Sequence, residues 1–365
     1  MESSLRKERK EWIDIAKGIG IWFVVLGHCF VKDTYIHNWI FSFHMPFFFL
    51  LSGYCFNPDK YQRPVEVIKA RFRALMIPYF VFVVVGVIVS LIIPQWRTQF
   101  EFGQVLKDIY QGYPSLSHIT SIWYLLSLFI ITVVYYIAYY ITTKINKKLI
   151  LYIFIALSGF FGYLITIVKK ILDKLSTGKA ATGKSGFKMP GDRLPLTIDA
   201  SMTALVFFAL GTIVLYIFVE KRKHKISDFV ILILINVIFG SILNTRVNIH
   251  GCTYGNVLFF YIAAITGSMA FFSLSIWLQG KQGKVVKILK SVFAFYGKNS
   301  LFMFAMQSLL INLYFLVVNI ATGNEYVIFE TLPTHLAIIG FFVIIILLPV
   351  IFYLYRKIKH LFVPN

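Results

Sequence analysis

Long apolar runs, separated by short polar and mostly basic stretches, recur along the whole chain. A helix needs about 20 such residues to cross the hydrocarbon core of a bilayer. Ten segments meet that pattern: 13–32, 37–56, 75–94, 121–142, 149–168, 199–219, 228–243, 256–278, 299–320 and 334–355, of which 228–243 is the shortest. The pattern predicts an all-α polytopic membrane protein. Residues 1–12 form a cytoplasmic segment, 13–355 one membrane domain and 356–365 a cytoplasmic tail.

Composition narrows this only slightly. With 58% hydrophobic and 14% charged residues, an ordinary soluble domain is excluded. The three cysteines, Cys29, Cys55 and Cys252, lie in or beside predicted helices and suggest no disulfide framework. The opening MESSLRKERKEW mixes acids with bases and precedes a helix without a small-residue cleavage site, so the first helix is expected to be retained.

Charge supplies the orientation. The net +20 would suit a nucleic-acid partner in a soluble protein, but here the bases sit in short loops between apolar spans, and no nucleic acid is expected. Clusters precede the first span and recur at 60–73, at Lys144, Lys147 and Lys148, at Lys221–Lys225, at Lys281–Lys298 and at Arg356, Lys357 and Lys359. Ten spans put all of them on one side, with both termini in the cytoplasm. The segment 169–198 disagrees, since Lys169, Lys170, Lys174, Lys179, Lys184, Lys188 and Arg193 would lie outside against Asp173 and Asp192. Three readings stay open there: a re-entrant element, a contact for an external anionic polymer or lipid head group, and a tolerated exception. The same segment contains Gly178-Lys-Ala-Ala-Thr-Gly183-Lys184-Ser185, a letter-for-letter phosphate-loop match. No buried strand leads into it, as that chemistry requires, so it reads as chance.

The candidate chemistry begins in the first span. Lys17 and His28 stand eleven residues apart, which puts them on one helix face about 16 Å apart along the axis. Asp14 lies close to the same stripe. An ionisable group in a membrane helix costs about 2.5–3.5 kcal/mol on insertion scales when charged, so a functional reason is expected for His28. His44, beside Pro46 on the inward-running second span, lies at a similar depth, and a helical hairpin can bring the two imidazoles together. Arg71 and Arg73 precede the third span, where guanidinium forks can grip phosphate or simply anchor the helix. Asp33 follows His28 by five residues, about 140° away around the helix, and carries little weight. Trp123 opens the fourth span. Asp199 leads into the sixth, either as a helix cap or as a group that orients a histidine or binds a sugar hydroxyl. Gly297-Lys298-Asn299-Ser300 reads as a loop with a cap, and Gln307 as interhelical glue.

The string Asp14…Lys17-Gly-Ile-Gly…Val-Val-Leu-Gly27-His28, followed by Phe43-His44-Met45-Pro46…Ser52-Gly53, resembles the membrane acyltransferase 3 family, in particular its fucose 4-O-acetylase-like branch. Weaker support continues through Pro78-Tyr79, Trp123-Tyr-Leu, Pro195…Asp199, Gly211 and Gly297-Lys-Asn-Ser. The resemblance implies a ten-helix enzyme of the bacterial cytoplasmic membrane. It would pass an acyl group, usually acetyl from acetyl-CoA, to a hydroxyl of an envelope glycan or lipid-linked sugar, with no permanently bound cofactor and no metal. The family's basic-residue-x10-histidine motif maps onto Lys17 and His28 and its paired basic residues onto Arg71 and Arg73. With the residues read above, the catalytic candidates are His28, His44 and Asp14, the CoA-binding ones Lys17, Arg71 and Arg73, and the substrate-binding ones Asp199 and Trp123. The family's paired basic residues are spaced differently here, because Ala74 occupies the last position, and Gln307 stands where many relatives carry a histidine. The hydrolase-like domain appended in some relatives is expected to be absent. A lipid-linked-glycan flippase and an acyltransferase acting on a small molecule remain as alternatives; no inverted repeat or paired broken helices favour transport.

Overall fold

Polar residues inside apolar helices decide which helices must sit at the centre. The computed structural model describes residues 10–98, 100–113, 118–179, 194–324, 326 and 331–362, and among these every long element is helical, with no strand. The membrane helices are α1 (Glu11–Cys29), α2 (Tyr35–Tyr54), α3 (Pro64–Ile92), α4 (Thr120–Lys144), α5 (Lys148–Val168), α6 (Pro195–Ile213), α7 (Ile226–Ile242), α8 (Val257–Gln279), α9 (Ser300–Thr322) and α10 (Thr334–Ile358). Eight of them are long and apolar enough to cross a membrane. The other two are α7, which is short, and α2, whose apolar run is broken by His37, Asn38 and His44. Fourteen of the twenty residues of α2 are buried, so its polar groups face protein and are spared contact with lipid. By contrast α3, α5 and α10 are only about a third buried and form the periphery.

Glycines let the inner helices touch. A Cβ at Gly53 of α2 would overlap the Phe208 carbonyl of α6, and one at Gly211 would overlap the Leu50 carbonyl in return. The helix Lys284–Lys298 crosses α1 in the same way, with Gly18 against Phe293 and Gly297 against the main chain of Asp14. Without a hydrophobic drive between helices in lipid, such close backbone contact is what holds them together. Polar clamps add to it. The fully buried Asn236 of α7 accepts from Trp39 Nε1 of α2 at 2.6 Å and donates to the Ala263 carbonyl of α8 at 2.8 Å.

Two expectations change. Gly297 and Lys298 are helical rather than loop, and only Asn299 separates the helix Lys284–Lys298 from α9, because Gly297 is needed for contact with α1. The third span starts earlier than 75, at Pro64, and carries a π-helical turn at Phe72–Met76 immediately after Arg71. Residues 169–179 continue α5 as helix, so a helix, not a strand, leads into Gly178. The remainder of the phosphate-loop match from residue 180, with Lys184, Lys188 and Arg193, lies outside the described residues.

Candidate active site

Two histidines are fixed by the same local device. The His28 ring donates from Nδ1 to the Val24 carbonyl at 3.0 Å, and His44 does so to the Ile40 carbonyl at 2.9 Å, each reaching one turn back along its own helix. A carbonyl oxygen only accepts, so Nδ1 carries the proton in each neutral ring and Nε2 keeps the lone pair. The two rings stand edge to face with centroids 6.1 Å apart. Phe41 holds them in place. It stacks on His28 at 5.4 Å, on His37 at 3.9 Å, and lies across His44 at 4.6 Å. His37, Phe41 and His44 follow the i, i+4, i+7 rule and so share one face of α2.

These side chains line a cavity of about 110 Å³ at the end of α1 remote from Lys17. Its rim adds Lys32, Tyr113, Trp123, Arg246 and His250. The loop 243–256 delivers the last three-dimensional pieces. Asn248 and Thr253 exchange main-chain hydrogen bonds of 2.7 and 2.9 Å, and Tyr254 anchors the loop by donating to Thr203 Oγ1 at 2.9 Å. His250 is thereby set against Tyr113 at 4.6 Å and Trp123 at 4.7 Å, an aromatic mouth. No group of three or more His, Cys, Asp or Glu among the described residues is arranged to hold a metal ion.

A second cavity, about 260 Å³, opens toward the Lys17 end of α1 and is lined by Lys17, Ile21, Phe48, Ser52, Ala74, Tyr124, Ser300 and Phe304, with apolar neighbours. Arg71 belongs near it. Its guanidinium lies 5.0 Å from the Phe56 ring centroid, and the charges of Lys17, Asp14, Arg71 and Lys10 all reach the Cys55 thiol. Arg73 points to the exposed side of the helix.

Of the residues singled out by sequence, His28, His44 and Trp123 therefore share the first cavity, and Lys17 lines the second. Asp14 does not join His28: fourteen residues of helix separate them by about 21 Å. It lines neither cavity. Asp199 is buried in the first turn of α6, accepts from the Ala200 amide at 2.9 Å, and also lines neither. Sequence reasoning missed His37, Phe41, Lys32, Arg246, His250 and Phe304. The helical spacing could have given the first two, but nothing local announces that a loop more than 200 residues on closes over His28.

An acyltransferase domain family model, that of the acyltransferase 3 family, matches residues 10–354. The chain belongs to that family and is a multi-pass membrane acyltransferase. Comparison with curated proteins finds no match, and neither does comparison with solved structures.

Proposed function

We propose that the enzyme takes an acetyl group from cytoplasmic acetyl-CoA and transfers it to a hydroxyl of an envelope glycan or lipid-linked sugar at the outer face of a bacterial cytoplasmic membrane. One observation carries this reading: α1 lines two cavities at opposite depths, with the cation Lys17 in one and the imidazole His28 in the other. A donor rich in phosphate suits the inner end, where Lys17 and Arg71 are grouped. A neutral acceptor alcohol suits the aromatic mouth of the outer one. The residue roles follow from these positions.

In the transfer, the acceptor hydroxyl oxygen bonds to the acyl carbon while its proton passes to Nε2 of His28. The carbon–sulfur bond then breaks, and the imidazolium returns the proton to the departing CoA thiolate. A base with a lone pair already fixed by an Nδ1–H···O=C bond needs no reorientation before it acts. His44, edge-on to His28, supports the developing imidazolium. The test is label transfer from radiolabelled acetyl-CoA to an envelope glycan extract by the purified protein in detergent. His28→Ala is expected to lower kcat about 10²–10⁴-fold, the usual contribution of a general base. Undiminished transfer by that variant would remove His28 from the chemistry, and no transfer by wild type would favour the flippase reading.

A further inference from the structure

The inner and outer cavities nearly meet. On α1 the inner one ends at Ile21 and the outer begins at Val24; on α2 the corresponding pair is Phe48 and Met45. Each gap is three residues, about 4.5 Å of helix rise. On α4 the boundary falls between Tyr124 and Trp123. One side chain lines both cavities, Phe304 of α9. Its ring lies 6.0 Å from Phe48 and 5.3 Å from Tyr124, and those two rings lie 6.1 Å from each other.

This triangle closes the outward end of the inner cavity, and the far side of Phe304 is the inward wall of the outer one. The three rings are not equally free to yield. Tyr124 is tied through its hydroxyl to Ser52 at 2.9 Å and to the Phe48 carbonyl at 3.3 Å. The Phe48 and Phe304 rings carry no polar atom, and the Phe304 main chain is anchored where its carbonyl accepts from Ser121 Oγ at 2.8 Å. Of these two hydrocarbon rings that of Phe304 lines both cavities, so its rotation is the one that joins them while the backbone stays anchored.

We propose that Phe304 is the partition through which the acyl end of the donor reaches His28, and that its bulk sets the length of acyl chain admitted. The inference rests on the acyl-CoA reading above. The acyl group leads the pantetheine arm, so it must pass Phe304 before the thioester can reach the imidazole. The outer cavity, at about 110 Å³, then has room for a short acyl group beside an acceptor hydroxyl. A small residue at 304 merges the two cavities and admits longer chains.

The experiment measures CoA thiol release by the full chain in detergent, with acetyl-, butyryl- and octanoyl-CoA as donors and envelope glycan extract as acceptor. Phe304→Ala is expected to raise the octanoyl-to-acetyl ratio of kcat/KM at least about tenfold, the scale on which apolar pockets discriminate chain length. Phe304→Leu should raise it less, and Phe304→Trp should lower the butyryl-to-acetyl ratio. The leucine and tryptophan variants carry the test if the alanine variant does not fold. Ratios unchanged in all folded variants, with wild type active on acetyl-CoA, overturn the partition alone. Absence of wild-type activity on every donor overturns the acyl-CoA reading and the partition together.

Discussion

Phe41 touches three imidazoles at once, and its removal separates orientation from binding. Phe41→Ala keeps the Nδ1–H···O=C bonds of His28 and His44 but removes the packing that sets the planes of the three rings. The expected result is a kcat loss of about tenfold or more with the KM for acetyl-CoA unchanged, since misplaced catalytic groups cost rate. Steady-state kinetics with the donor varied checks it; a raised KM at constant kcat would contradict it. At the other cavity the split reverses. Lys17→Ala is expected to raise the KM for acetyl-CoA, with a smaller effect on kcat and none on acceptor KM. His28, His44 and Lys17 were legible in the sequence because a polar group in an apolar helix is costly and helix geometry fixes its face. Asp14 shares that face, but helix rise puts it at another depth from His28, which phase alone does not tell.

Helix packing makes its own prediction. At Gly53 and Gly211 an added methyl meets a main-chain carbonyl, which cannot move without shifting a helix. Gly53→Ala or Gly211→Ala is expected to destabilise the protein by about 1–3 kcal/mol, the usual cost of overpacking. Thermal unfolding in detergent measures it. Gly103→Ala is the control, because nothing lies within 4 Å of a Cβ there and alanine favours helix. Equal melting temperatures for all three would contradict the packing described. Nine of the ten spans begin within about four residues of the helices seen, since apolar periodicity fixes where a helix can exist. The exception is the third span, whose helix starts eleven residues early because the largely polar and exposed stretch Pro64–Arg71 is already helical ahead of the apolar run. The helix Lys284–Lys298 was hidden for a similar reason. It is rich in lysine, and its apolar face is cut to fit α1 rather than to cross lipid.

Across the whole molecule the account requires sidedness, and one cysteine reports it. Cys55 is exposed, whereas Cys29 and Cys252 are buried. It lies near Lys17 and Arg71, at the end that the proposed topology puts in the cytoplasm. A membrane-impermeant maleimide is expected to label Cys55 in inverted vesicles and not in right-side-out ones, and acetyl-CoA should slow that labelling. Labelling from the opposite face would invert the topology. What sequence could not supply at this scale is the closure of the outer cavity, since Arg246 and His250 come to line it with His28 only through the packing of α2, α7 and α8.

The central claim is that the donor and acceptor are engaged from opposite faces, with His28 between them. The most direct measurement uses sealed vesicles of one orientation, with labelled acetyl-CoA supplied on one face and envelope glycan extract on the other. The account predicts labelled glycan only when acetyl-CoA is on the cytoplasmic face and the glycan on the outer face, and none with His28→Ala in either arrangement. Equal labelling with both substrates confined to a single face, or labelling retained by His28→Ala, would contradict it.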